Sequence, residues 1–564
     1  MKSNPLKAHL KAWLGRVPGL AEADWYLRGR RTPPVHRYLR LAAPYLAHWG
    51  AWAEVAASAR RPGRKVALFA GLPWWVMHLA VMGLGLAAQG QRVTLGYLPH
   101  RDWWQPASWW VWRKWDVQMR AVLRPAARLL RPVSLLRVSP ASLPAAWEGF
   151  LRRLSAYDVE YTRQREGVAE EDPLYPLRLA RNRFAARVLR RWLMRERPEV
   201  LIVPNGAILE FGVAYEMGQR LGIPVVTYEF EYQRERVWLS QKRPVMDLDT
   251  DDLWAAVRSR PLSSTQVRQL EEMMTARRGG RTWGVHARAW QNVAQAGANE
   301  ARRTLGLDDR PVVLLATNVF GDSVTIGRQV FSQGMSDWLS ETLRFFASRP
   351  QVQLVVRVHP GESLLAPGGT SMLEVVRRAL PDLPAHIKVV PPEARVNSYD
   401  IAALAQAGLV YTTTLGMEMA MDGLPVIVAG QVHYRGRGFT YDPTSWEEYF
   451  TLLQKMVSAP EDLRPKPEQV ELARRYAYHF FFTYPRPYPW HILFFGEDLD
   501  HWPLDRALSH PEFAETLENF AGAPMDWERW STFEDEMLPP GVQTQSGDGM
   551  GQWQRQLSLE ESEE

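Results

Sequence analysis

The chain has 564 residues, 46% of them hydrophobic and 23% charged, with a formal net charge of +6. That length implies two or more domains, and the lack of any cysteine excludes disulfides, zinc–thiolate sites and thiol nucleophiles. Arginine far outnumbers lysine, which suits phosphate and carboxylate ligands, while no dense basic block points to nucleic acid.

Residues 1–60 read as a basic, helical N-terminal extension broken at "RTPPVH", without the apolar core and cleavage site of a signal peptide. The segment from Val66 to Ala88, "VALFAGLPWWVMHLAVMGLGLAA", has the length of a membrane span. Pro73 divides it and His78 sits inside it, so it reads instead as a strand, a turn and a buried helix with proline at its start. "QRVTLGYLP" supplies the next strand, and this β-α-β order implies a parallel sheet. "HRDWWQPASWWVWRKWD" follows, with six tryptophans between Trp103 and Trp115. Such rings stack on sugars or settle at a membrane interface, and Trp109 and Trp112 are the candidates for contact with an acceptor or a membrane. Burial of the cluster in a core is the competing reading.

A helical stretch from about Glu148 to Arg197 leads into a second β-α-β unit. Its first strand, "PEVLIVPNG", ends at Asn205 and Gly206; the following helix carries Glu210; the next strand, "IPVVTYEFE", ends on Glu229 and Glu231. Residues 61–244 are therefore assigned to a first Rossmann-like domain and 245–285 to a polar connector. The acidic run "DLDTDD" in the connector, Asp247 to Asp252, is read as helix capping, with no metal expected. Residues 286–484 form a second Rossmann-like domain built on "RPVVLLATN", "VQLVVRVHPGE", "HIKVVPP", "AGLVYTTT" and "LPVIVAG". Residues 485–564 are a C-terminal extension, polar and disordered from about 538.

In an open parallel sheet, ligands sit beyond the carboxyl ends of the strands. Here those positions hold Thr317 and Asn318, His359 with Pro360, and Thr412 to Thr414. The threonines precede a helix, where hydroxyls and free N–H groups receive phosphate, and Gly416 would let an anion approach the backbone. Glu418 lies in the first turn of that helix. A capping box is excluded because Leu415 stands three positions before it. The helix dipole favours an acid there, and a pair of ribose hydroxyls would also suit one; the two readings stay open. His359 would contact phosphate or move a proton. The glycine-spaced loop "HYRGRGFTYDP" adds Tyr434, Arg435 and Arg437 as candidates to cradle a sugar or phosphate.

In their order, "LATNVFGDS", "FSQGMSDWLSETL", "VVRVHPGE", "VNSYDIAALAQAGLVYTTTLGMEMAMDGLPVIVAG" and "HYRGRGFTYDP" resemble the capsular polysaccharide biosynthesis family of bacterial glycosyltransferases over about residues 285–480. The resemblance implies two Rossmann-like domains facing a cleft, the GT-B arrangement, with the acceptor on the first and the donor on the second. It implies a UDP-, GDP- or CMP-linked sugar as donor substrate, no further cofactor, and a growing glycan or glycolipid as acceptor. It also implies a cytoplasmic enzyme, with peripheral association at the inner face of the plasma membrane as a further expectation. His359-Pro360 and Thr412 to Thr414 would then contact the donor phosphate, and Glu418 the nucleotide. The acidic-acidic-glycine motif of bacterial sialyltransferases is missing, which leaves Glu229, Glu231 and Glu210 as candidates for the base. Alternatives on the same plan are a sugar-nucleotide epimerase, a polyol-phosphate transferase, or a non-catalytic acceptor-binding or scaffold subunit.

Overall fold

The structure, a computed structural model, describes residues 14–28, 37–167, 170–231, 233–281, 283, 293–364 and 369–532. The expected disordered tail from about 538 lies outside these residues, as do 284–292 at the start of the expected second domain.

Two α/β units share the chain. In the first, β1 (Lys65–Ala70), β2 (Arg92–Tyr97), β3 (Val133–Ser134), β4 (Val200–Pro204) and β5 (Val225–Glu229) run parallel, with Leu68 registered on Leu95 and on Ile202. β6 (Arg236–Ser240) turns back antiparallel on β5. In the second, β7 (Val312–Ala316), β8 (Gln353–Arg357), β9 (Ile387–Val390), β10 (Ala405–Val410) and β11 (Val426–Val428) are all parallel, in the order β11-β10-β7-β8-β9. β1, β4, β7 and β8 are buried along nearly their whole length because helices cover both faces. This is the two-unit, parallel-sheet architecture of a GT-B-like fold, preceded by N-terminal helices.

The first sheet is completed from far along the chain. β12 (Arg486–Pro487) pairs antiparallel with β6, giving the order β12-β6-β5-β4-β1-β2-β3. The helices after it, up to Pro511–Phe520, return to the first unit. There they solve a packing problem set by the sequence. The helix Pro73–Ala88 is buried at every position, so it needs apolar cover on the side away from the sheet. Helix Arg37–Ser58 and residues such as Trp490 and Leu517 supply that cover within one core. A Cβ on Gly85 would come 3.1 Å from Leu517 Cδ1. The apolar run Val66–Ala88 is thus the expected strand and buried helix, and among the described residues no helix is long and apolar enough to cross a membrane.

Each sheet has one point where strand order reverses. In the first, the chain builds outward from β1 to β3, then resumes on the other side with β4 and β5. In the second, β7 to β9 grow one way and β10 and β11 the other. Crevices at such reversals are where open α/β sheets bind ligands. They fall beyond β1 and β4, and beyond β7 and β10.

Candidate functional site

The reversal in the second sheet is stitched by side chains. Asn318 Oδ1, just past β7, accepts from the backbone N–H of Thr412, just past β10, at 3.1 Å. Thr317 Oγ1 accepts from the N–H of His359, just past β8, at 3.1 Å. Three strand ends are thereby fixed side by side, and they carry Asn318, Thr412 and His359. His359 Nδ1 accepts from Gly361 N–H at 3.0 Å, which sets the ring against the turn that Pro360 opens. The Thr412 hydroxyl is buried without a hydrogen-bond partner among the described residues, an arrangement that costs free energy unless a ligand fills it. Thr413 spends its hydroxyl on Leu415 N–H at 3.3 Å, and its carbonyl accepts from Tyr434 at 2.7 Å. Thr414 stands at the N-cap of helix Leu415–Met421 without a side-chain capping bond.

Gly416 has a packing role. A Cβ there would meet the Tyr434 hydroxyl at 2.3 Å and Val410 Cγ2 at 2.8 Å. Tyr434 is fully buried beneath it. Arg435 holds the loop to the carbonyls of Val428, at 2.7 Å, and Pro443. Arg437 reaches back to the connector, 3.1 Å from Thr250 Oγ1 and 2.6 Å from Asp251 Oδ1. The acidic run of the connector takes basic partners elsewhere too, Asp247 with Arg328 and Asp252 with Lys242.

Glu418 is almost fully buried. Its Oε1 lies 2.5 Å from Arg277 Nη2, and its Oε2 accepts from Tyr399 at 2.5 Å. Burial works against the Arg277 charge, and Glu418 more than restores it. Burial, and then the Glu418 charge, push the Tyr399 phenol up, so it stays protonated and donates. Both carboxylate oxygens are thus engaged by side chains. Arg277 comes from the connector helix Ser264–Arg278, and nothing in the sequence spacing pointed to it.

In the first unit, Asn205 and Gly206 follow β4 in left-handed conformations, φ 56° and 82°. Asn205 turns its amide to Glu229 Oε2, 3.1 Å away at the end of β5. The other Glu229 oxygen accepts from Phe230 N–H at 3.1 Å. Neutral donors do not offset burial, and burial pushes the Glu229 carboxyl up to about 7. Glu210 sits at the start of its helix in a different environment. Arg178 Nη2 is 3.1 Å from one oxygen and His100 Nδ1 3.3 Å from the other. Burial alone would raise its pKa, but Arg178 and then His100 hold it well below the usual carboxylate range. Glu231 folds onto its own turn, accepting from Gln233 N–H.

Helix Trp109–Leu123 carries four of the six tryptophans; Trp112 is buried, whereas Trp103, Trp104, Trp109, Trp110 and Trp115 are half-buried. Trp112 lies 5.1 Å from the His100 ring and Arg181 lies over it at 5.7 Å. Trp109 meets Trp112 and Phe184 edge-on, each at 5.4 Å.

The two units touch through the end of helix Glu148–Arg163. A Cβ on Gly321, in the loop after β7, would fall 2.2 Å from the Glu160 carbonyl. Thr370 N–H donates to the Gln164 carbonyl at 3.2 Å. Burial raises the Tyr161 phenol, and so do the charges of Glu229 in the first unit and Asp322 in the second. Tyr161 and Arg178 come from the stretch between Glu148 and Arg197 that the sequence showed only as helical, and Arg277 from the polar connector.

A family model described as capsule polysaccharide biosynthesis protein matches residues 266–455, a third of the chain. No curated protein matches the chain. Among solved structures, a beta Kdo 2,4 transferase of Thermosulfurimonas dismutans is 17% identical, with a TM-score of 0.34, over 52% of this chain and 82% of that one. The UDP-GlcNAc 2-epimerase of Neisseria meningitidis is 11% identical, with a TM-score of 0.25, over 74% and 99%. That of Methanocaldococcus jannaschii is 9% identical, with a TM-score of 0.25, over 73% and 99%. At such scores the likenesses carry no argument about this chain's residues or substrate.

Proposed function

We propose that the protein is a glycosyltransferase that moves a sugar from a nucleotide-sugar donor to a glycan hydroxyl, with Glu229 as general base. The observation that supports this most is the environment of Glu229. It is a carboxyl pushed up to about 7, hydrogen-bonded among the described residues by neutral donors, at the carboxyl end of its sheet. A base poised near the working pH suits proton removal from a hydroxyl. The family-model match over residues 266–455 supports a surface polysaccharide as the product.

In this reading the acceptor O–H gives its proton to Glu229 as its oxygen bonds to the anomeric carbon. The bond from that carbon to the donor phosphate breaks, and the nucleotide leaves with the electron pair. Asn205 orients the base through the 3.1 Å hydrogen bond. The Thr412 hydroxyl and His359, on the strand ends either side of β7, meet the leaving phosphate, where donors aimed at developing charge act most strongly. Glu210, already paired with Arg178 and His100, shapes the turn after β4 and is not the base. The Glu418–Arg277–Tyr399 cluster supports the floor of the donor side.

The test is to incubate the purified protein with UDP-, GDP- and CMP-linked sugars, with and without a glycan acceptor, and follow nucleotide release. Release that grows with acceptor and falls roughly 100-fold or more in Glu229→Gln supports the reading. Interconversion of the donor sugar without acceptor would replace it with an epimerase. No release or conversion from any donor would sink it.

A further inference from the structure

The turn that carries Asn205 is held in an unfavoured shape by a carboxylate from another helix. Between β4 and helix Leu209–Arg220 three residues take up left-handed backbone, Asn205 at φ 56°, Gly206 at 82° and Leu209 at 56°. A bulky residue such as leucine rarely adopts that conformation, and it persists only where the surroundings fix it. The fixing bond comes from Asp158 in helix Glu148–Arg163, whose Oδ1 accepts from Leu209 N–H at 2.5 Å. Other neighbours close in on the turn too. A Cβ on Gly206 would lie 2.6 Å from Thr227 Cγ2 in β5. One on Gly212 would lie 3.0 Å from the Ala207 carbonyl oxygen and 3.1 Å from Leu154 Cδ2.

Asp158 is itself pinned. Its Oδ2 accepts from Arg178 Nε at 3.1 Å and from Asn182 Nδ2 at 2.7 Å, both on helix Leu174–Glu196. Arg178 also donates to Asn182 Oδ1 at 3.1 Å and to the Trp103 carbonyl at 3.2 Å. Asp158, Arg178 and Asn182 are shut off from solvent. One carboxylate oxygen is enough to tie the two helices together; the other goes to the turn, four residues after Asn205. Within that turn Asn205 accepts from Ala207 N–H at 3.1 Å and donates to Glu229 at 3.1 Å. A continuous path thus runs from Arg178 through Asp158 and the turn to Asn205 and Glu229. The end of the Asp158 helix meets the second unit, where the Gln164 carbonyl accepts from Thr370 N–H at 3.2 Å and a Cβ on Gly321 would fall 2.9 Å from Gln164 Cα. One rigid element therefore touches both the turn beside Glu229 and the loop after β7.

We infer that Asp158 is a positioning residue for the transfer reaction: it holds the turn from Asn205 to Leu209 so that the Asn205 amide stays on Glu229, and its helix sets that pair in register with the donor half. This role rests on the reading of Glu229 as general base. Asp158 touches no reacting atom and acts through Asn205. A misplacement of about 1 Å, caused far from the chemistry, can cost on the order of 100-fold in rate.

A double-mutant cycle on kcat for acceptor-dependent nucleotide release tests the role, with Asp158→Asn, Asn205→Ala and the two combined. A second cycle puts Arg178→Lys in place of Asp158→Asn, keeping the positive charge and losing the Nε contact. Each single change is expected to lower kcat about 10- to 100-fold, with the donor KM within about twofold of wild type. Neither Asp158→Asn nor Arg178→Lys should lower kcat further once residue 205 is alanine, because residues that act as a unit are not additive. Full additivity in both cycles would overturn the role of Asp158, while a loss of activity in Glu229→Gln would leave the base reading standing. Equal activity of Glu229→Gln and wild type would remove the base, and the positioning role with it. Calorimetry with UDP, GDP and CMP checks the fold of each variant. Loss of the wild type's nucleotide binding in both Asp158→Asn and Arg178→Lys would make Asp158 a residue of the fold alone, and would also overturn the role.

Discussion

Arg277 Nη2 lies 2.5 Å from Oε1 of Glu418, with both side chains shut off from solvent. Breaking a buried pair by removing one partner costs roughly 3–5 kcal/mol, because the other charge stays behind uncompensated. Glu418→Gln is therefore expected to lower stability by that order in urea denaturation, and Arg277→Met to do likewise. The double variant should recover part of the loss, since neither charge then remains. A Glu418→Gln protein of wild-type stability with weakened nucleotide binding would return the carboxylate to the ribose.

Glu229 gives two pH signatures. As a base it must be ionised, so kcat/KM should rise with pH through about 7 rather than near the ordinary 4.5. The folded protein also holds a proton there that the unfolded chain has already released between pH 4.5 and 7. Folding stability should fall as pH rises across that window, and Glu229→Gln should remove this part of the slope. A flat difference in stability between the two proteins across that range would show that the carboxyl titrates normally.

Gly416→Ala should destabilise by about 1–3 kcal/mol, the usual cost of overpacking, because its Cβ would meet the Tyr434 hydroxyl. Tyr434→Phe removes that hydroxyl and the bond to Thr413. The double variant should cost less than the sum of the two single variants, which a double-mutant cycle on urea midpoints would detect. Strict additivity would mean that the two residues do not press on one another.

Trp112→Ala should cost about 3–5 kcal/mol, as for a large core aromatic, since the ring packs on His100, Phe184 and Arg181. Acceptor saturation and liposome co-sedimentation should change no more than donor binding does. A selective loss of either, in a variant with the wild-type melting temperature, would give the ring a contact role.

The strand content of the fold was legible because parallel strands buried on both faces leave plain apolar runs, as in "VLLA" and "LVVR". The strand ends followed from the proline, glycine and threonine beyond them, so Asn205, His359 and Thr412 fell just past the carboxyl ends of strands as read. What stayed hidden was long-range pairing. Local pattern offers no means to match Glu418 to Arg277, 141 residues away, or β12 to β6. For the same reason Glu210 looked like a free acid, since its partners His100 and Arg178 come from separate segments. Arg435 and Arg437 read as ligand-binding cations, yet their guanidiniums reach carbonyls and the connector. An arginine-rich sequence does not say which cations the protein itself uses.

The pairing of β12 with β6 has a bearing on synthesis. Domains generally fold as units, N-terminal first, as the chain emerges. Here the all-round apolar helix Pro73–Ala88 and the edge strand β6 wait for residues beyond 485. The first unit therefore stays incomplete on the ribosome until the second has been made, with its edge and apolar helix open to chaperones in the interval. A nascent chain stalled near residue 300 should be bound by a holdase and cut readily by protease, whereas one released past residue 532 should not.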